Sequence, residues 1–179
     1  MMLLLLTGCG GAGREELKIE ALRDSLAAAE ELGFTAAVRA DVGGEEFCCT
    51  LRCAGTAEGC TVEVTEPEIL SGVTARMTPG GAQLDYGGLS LPLALSGAPE
   101  LSPLAAAGLT ADALRFGHVR RAWTERDGEE RCLAAELYVT DAAELTLWFS
   151  GDPLTPRRAE LSVLGTVRAV CEITDFYCK

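Results

Sequence analysis

Phe34-Thr35-Ala36-Ala37-Val38-Arg39-Ala40-Asp41-Val42, then Gly43-Gly44, then Phe47-Cys48-Cys49-Thr50-Leu51-Arg52-Cys53, is the stretch that decides the fold class. In both runs the apolar residues take every second position: Phe34, Ala36, Val38, Ala40 and Val42, then Phe47, Cys49, Leu51 and Cys53. Successive side chains of a strand point to opposite faces, so each run predicts a strand with one apolar and one polar face. The paired glycines supply the backbone angles of a tight hairpin turn. One-sided strands joined this way are the mark of an antiparallel sheet that covers a core on a single face.

The same period extends outward from that hairpin. Cys60, Val62 and Val64 oppose Thr61, Glu63 and Thr65, and Pro67 to Gly72 then breaks the pattern. Val73, Ala75 and Met77 lead into Pro79-Gly80-Gly81 and return through Leu84 and Tyr86, with Leu89 to Leu93 after Gly87-Gly88. Further on, Val119, Arg121 and Trp123 share a face before an Asp127-Gly128 turn. Leu133 to Val139, Leu145 to Phe149, Ala159 to Val163 and Val167 to Phe176 complete the set. Upstream of Phe34, the spacing of Ile19, Leu22, Leu26 and Ala29 predicts a helix over Arg14 to Leu32, with Gly33 as its stop. Between Pro99 and Gly117 the alternation lapses; Ser102-Pro103 reads as a helix start, and Thr110 as the cap of a second short helix reaching Phe116. The sum is about ten strands and two or three helices with no repeat and no linker, hence one α+β domain. A sheet this large must curl, split or close around something.

The 179 residues are 48% hydrophobic and 23% charged, an ordinary globular composition that contains no apolar run long enough to span a bilayer. A net charge of −12 disfavours nucleic acid and anionic membrane surfaces as partners. The first residues carry an address. Leu6-Thr7-Gly8-Cys9 resembles the bacterial lipobox, in which a diacylglyceryl group is attached to the cysteine and the leader is cut before it. On that reading residues 1–8 are a signal peptide, residues 9–14 a lipidated tether with Gly10, Gly11, Ala12 and Gly13 in it, and residues 15–179 the folded domain. Two acyl chains on Cys9 would hold the domain at the outer face of the cytoplasmic membrane. No Lys or Arg precedes Cys9 and the apolar run is only Met1 to Leu6, so the leader is expected to begin further upstream.

Besides Cys9 there are seven cysteines: Cys48, Cys49, Cys53, Cys60, Cys132, Cys171 and Cys178. An extracytoplasmic address permits disulfides, and Cys53–Cys60 is the favoured pair because both lie on one face of adjacent strands flanking one turn. Buried thiols that pack as small hydrophobes are the competing reading. The spacing of Cys48, Cys49, Cys53 and Cys60 is not that of a zinc site, and no metal or cofactor is expected.

Chemistry is hard to place on this chain. His118 is the only histidine, beside Val119 on the polar face of a strand, and no nucleophile elbow, phosphate loop or metalloprotease motif occurs. Glu66 with Glu68, and Glu129 with Glu130, read as solvated loop acids, since nothing in their spacing separates their pKa values. No catalytic residue is assigned. Trp123, Trp148 and Tyr86 fall in strands; Trp148, opposite Leu147 and Phe149, hints at an aromatic lining for an apolar groove.

The order of elements resembles the LolA-like superfamily. The residues that carry the resemblance are the N-terminal helix, Val62-x-Val64-x-Glu66-Pro67-Glu68 with Gly72-Val73-Thr74, Leu84-Asp85-Tyr86-Gly87-Gly88-Leu89, the Pro-rich insert after Leu93, and Val170-Cys171-Glu172-Ile173-Thr174-Asp175-Phe176. The Glu-Pro-Glu and Asp-Tyr-Gly-Gly-Leu pieces look most like small lipoproteins of Gram-positive anaerobes, some tied to sporulation and germination. The resemblance implies a strongly curved antiparallel half-barrel with the N-terminal helix and short helices packed on its concave side. It also implies a non-catalytic role: binding a lipid or acyl ligand in that concavity, or binding an envelope protein without any lipid. Phe34, Val38, Leu51, Val62, Leu137, Leu147, Phe149 and Leu161 are the candidate groove residues.

Overall fold

A computed structural model describes residues 12–93, 102–127 and 130–179. Cys9 and the glycine-rich start of the expected tether lie outside the described residues. One helix, α1 (Ala12–Ala28), leads into six strands: β1 (Leu32–Val42), β2 (Glu45–Thr56), β3 (Gly59–Glu66), β4 (Thr74–Thr78), β5 (Gly81–Tyr86) and β6 (Leu89–Leu93). A second helix, α2 (Pro103–Phe116), precedes five more: β7 (His118–Asp127), β8 (Glu130–Tyr138), β9 (Ala143–Ser150), β10 (Thr155–Val163) and β11 (Thr166–Cys178). All eleven strands form one open, curved antiparallel sheet in the order β6-β5-β4-β3-β2-β1-β11-β10-β9-β8-β7. The first strand and the last meet at the centre, Val38 opposite Cys171, so both halves are zipped by β1 and β11. The sheet is one strand larger than expected and remains unclosed, with β6 and β7 as its edges.

The register follows the alternation. Phe34 lies opposite Cys53, Ala36 opposite Leu51 and Val38 opposite Cys49, and this row is buried on the concave face. Leu137, Leu145, Leu147, Phe149, Ala159 and Leu161 continue it across the other half.

The helices differ from expectation in ways that have physical causes. α1 stops at Ala28 rather than Leu32, because Leu32 is fully buried and already paired with Gly55 and Cys178. Gly33 is therefore not the helix stop. A Cβ there would lie 2.5 Å from the Tyr177 ring, which packs across the strand and donates its hydroxyl to Glu31 Oε1 at 2.6 Å. The helix also begins at Ala12, inside the span expected to be tether. After Leu93, α2 is one continuous helix from Pro103 to Phe116 rather than two short ones. Thr110 does not cap a new helix; its hydroxyl donates back to Ala106 O at 2.8 Å, four residues earlier, which satisfies it without ending the helix. Ser102 occupies the N-cap position but its side chain makes no capping hydrogen bond.

α2 is the element that sets the depth of the concavity. Its sequence, Pro-Leu-Ala-Ala-Ala-Gly-Leu-Thr-Ala-Asp-Ala-Leu-Arg-Phe, is largely Ala and Gly, and Ala105, Ala106, Ala107, Gly108 and Ala111 are all buried. Small side chains let a helix approach a sheet closely. At Gly108 a Cβ would come within 2.0 Å of Met77 Cε and 3.3 Å of Cys60 Sγ. α2 thus beds onto β1, β2, β3 and β11, while α1 covers β7 and β8.

Candidate functional site

All eight groove residues inferred from the sequence lie on the concave face, and all eight are sealed beneath the helices. Phe34, Val38, Leu51, Val62, Leu137, Leu147, Phe149 and Leu161 belong to one continuous core with Ile19 and Leu26 of α1 and Leu114 of α2. They hold the half-barrel together rather than face an open space.

The open space is displaced to one end. Between α2 and the tips of two hairpins lies a mostly apolar cavity of about 490 Å³. Its walls are Gly55, Thr56, Ala57, Gly59 and Cys60 from the β2–β3 hairpin and Met77, Thr78 and Pro79 from the β4–β5 turn. Ala105, Gly108, Leu109, Ala111, Asp112, Arg115 and Phe116 of α2 face them, with Thr140 completing the wall. That volume falls within the range of small-molecule sites, which are typically apolar with few polar groups.

Two of its polar groups are on α2, and neither was singled out by sequence reasoning. Arg115 is 2% exposed. It donates through Nη1 to Gly55 O at 3.4 Å and through Nη2 to Ala27 O at 3.3 Å and Ala29 O at 2.8 Å. Those last two carbonyls belong to the C-terminal end of α1, where backbone acceptors lack helical partners and a cation is favoured. Burial pushes the Asp112 carboxyl above its ordinary value. The sequence signal existed, since Arg115 is the only basic residue of an Ala-rich helix.

Four of the cysteines lie on the strands beneath the same helix. Cys49, Cys53 and Cys171 are buried, Cys60 is half-buried, and no disulfide joins any of the seven cysteines among the described residues. The expected Cys53–Cys60 bridge is not formed. Cys53 lies opposite Val62 and Cys60 opposite Gly55, so the two are diagonal neighbours, a placement usually wider than the Cβ separation a disulfide wants. Instead their Sγ atoms lie 3.9 Å from the α2 carbonyls of Ala107 and Gly108. The Cys53 thiol is held well above its ordinary pKa by its hydrogen bond to Cys60 and by burial. Burial pushes Cys49 up to about 11 and Cys171 up to about 12. Thiols so held are poor nucleophiles.

The convex face carries a different chemistry. A shallow trough of about 670 Å³ runs past Arg39, Thr50, Thr65, Glu66, Glu68 and Glu172. There Thr50 Oγ1 donates to Glu66 Oε2 at 2.8 Å, and Glu66 and Glu68 are exposed. Glu129 lies outside the described residues, and Glu130 and His118 are exposed. Trp148 does not line a groove. It and Trp123 flank buried Ala134 on the convex face. Glu125 accepts from both indoles, Trp123 Nε1 at 2.6 Å and Trp148 Nε1. Arg121 lies 4.9 Å from the Trp123 ring centre and Arg158 5.3 Å from that of Trp148. The two indole hydrogen bonds, Trp123's first, hold the Glu125 carboxyl below its ordinary value. Tyr86 is exposed on the concave side beside Leu89 of edge strand β6.

Among the described residues no group of three or more His, Cys, Asp or Glu side chains is placed to hold a metal ion, and no helix is long and apolar enough to cross a membrane.

No family model matches the chain, and no curated protein matches it in sequence. Its architecture does match solved structures. An outer membrane lipoprotein-sorting domain assigned in Vibrio parahaemolyticus is 10% identical, with 94% of this chain and 92% of that one covered at a TM-score of 0.50. A conserved protein of Thermus thermophilus is 15% identical over 92% of this chain and 87% of its own, also at 0.50. A LolA superfamily protein of Nitrosomonas europaea is 17% identical over 92% and 93%, at 0.49. At such identities the likeness is one of fold alone: an open, curved antiparallel sheet with helices on its concave side.

Proposed function

We propose that this chain is an extracytoplasmic lipoprotein, anchored to the outer face of the cytoplasmic membrane through a diacylglyceryl group on Cys9, that holds a lipid or other apolar ligand without chemically altering it. Residues 1–8 are then the leader and residues 9–14 the linker to the domain at 15–179. The observation that carries the ligand reading is the apolar cavity between α2 and the β2–β3 and β4–β5 hairpin tips. The half-barrel fold shared with the solved structures supports it.

The test uses the full chain carrying Cys9→Ala, purified from a bacterial host and extracted for mass spectrometry. Fatty acid or phospholipid at near-stoichiometric amounts is the expected result, and Ala57→Trp, which fills the cavity mouth, should abolish it. An empty wild-type cavity that also fails to take up added lipid would end the reading. Metabolic labelling of the unaltered chain with palmitate tests the anchor separately.

A second reading, an envelope or sporulation-type lipoprotein of Gram-positive bacteria acting through a protein partner, is favoured by one observation. Leu89 and Leu91 on edge strand β6 are 71% and 58% exposed, beside exposed Tyr86. Crosslinking from position 89 in intact cells would capture a defined envelope protein on this reading and none on the first.

A further inference from the structure

We infer that the ligand of the α2 cavity is an amphiphile with an acidic head, and that Arg115 is the counter-ion which receives it. The inference rests on the proposed cavity-binding function and adds the chemistry of the ligand. A guanidinium stays protonated in proteins and carries five N–H donors. In Arg115 three are used, all on neutral backbone carbonyls: Gly55 O, Ala27 O and Ala29 O. Nε is buried with no acceptor, and Arg115 makes no ion pair among the described residues. The other buried arginine nitrogens without acceptors lie elsewhere; Arg158, for example, is paired with Glu160 and Glu172.

A buried charge without a counter-charge is costly, far more so than an ion pair. The α1 carbonyls offset part of that cost, which accounts for the position of Arg115 but not for its remaining donors. Asp112, one turn earlier on α2 and also on the cavity wall, is not within ion-pair distance of it. What the cavity therefore offers a ligand is an apolar body of space with one unneutralised cation in its wall. A carboxylate or phosphate head joined to a single alkyl chain complements both. Neutral lipids complement only the first. The half-exposed Phe116 ring has its centre 5.5 Å from Arg115 Cζ.

The experiment is calorimetric titration of the full chain carrying Cys9→Ala, stripped of co-purified lipid, with decanoate, decyl phosphate and decanol below their aggregation limits. One acidic probe should bind about ten-fold or more tightly than decanol, the size of one charged hydrogen bond, and the better of the two identifies the head. Arg115→Lys should keep the preference and Arg115→Met should erase it while decanol binding persists. Equal binding of all three probes to the wild type overturns this inference and leaves the cavity reading intact. Binding of none overturns both. A preference that survives in a folded Arg115→Met chain, judged by its circular dichroism, assigns Arg115 to holding α1 alone and also overturns the inference. Should neither variant fold, the wild-type preference among the three probes decides.

Discussion

The two ends of the sheet are built from the same alternating strands and finish differently. At the β7–β8 end α1 covers the sheet, and Leu133, Leu137, Leu145, Leu147 and Phe149 form a filled core with its Ile19 and Leu26. At the β3–β6 end only α2 is available, its facing residues are mostly Ala and Gly, and beyond Met77 the concave face runs out into exposed Leu89 and Leu91. Binding space in this fold is therefore decided by helix coverage and not by strand pattern. The same one-sided β-sequence gives a sealed core under α1 and a cavity beside the Ala- and Gly-rich α2.

That contrast can be broken by experiment. Leu147→Ala, on the sealed side, should cost about 2–5 kcal/mol in urea unfolding, the range for emptying a buried leucine site. The centre of the sheet should show itself through pH. In the unfolded chain a cysteine ionises near pH 8.5, whereas Cys171 is pushed up to about 12 by burial. Above about pH 8.5 the unfolded chain therefore holds fewer protons than the native one, so stability is full below that pH and falls as it rises, with about 2 kcal/mol lost from Cys171 by pH 10. A flat urea midpoint between pH 7 and 10 would contradict the burial of that thiol. Alkylation of the Cys9→Ala chain in denaturant without reductant should then count seven thiols, including Cys53 and Cys60, against the bridge the sequence favoured.

On the open side the effects should shrink. Met77→Ala, at the cavity wall, should cost about 1 kcal/mol, below the usual core range because space already adjoins it. A cost matching that of Leu147→Ala would mean the two ends are packed alike. Asp112→Asn should be smallest, tightening decanoate binding about two- to five-fold as expected for one partly exposed charge, with decanol unaffected.

Much of the architecture was legible because strand alternation is a local signal. The β1–β2 hairpin, the turn at Gly43-Gly44 and the burial of Phe34, Val38 and Leu51 all followed from period two. The eight inward residues were placed on the right face, but alternation says only which face a side chain takes, not whether a helix covers it. Thr110 misled because a hydroxyl can cap a helix or bond back within one, and only the depth of α2 in the sheet decides which. Trp148 misled because its partners, Glu125 and Arg158, come from strands β7 and β10 and make a polar-face tryptophan comfortable outside. The cavity was invisible for a related reason: its walls join residues near 57, 78 and 112, and its defining feature is the smallness of Ala105 and Gly108.

Both tryptophans of the chain sit on the outer surface, clasped by one carboxylate and stacked beneath arginines. Their ultraviolet emission is consequently tuned by Glu125, Arg121 and Arg158 and is blind to whatever enters from the opposite side. An indole placed in the cavity wall where it leaves the mouth open would make the inner chamber optically audible over a background that stays constant.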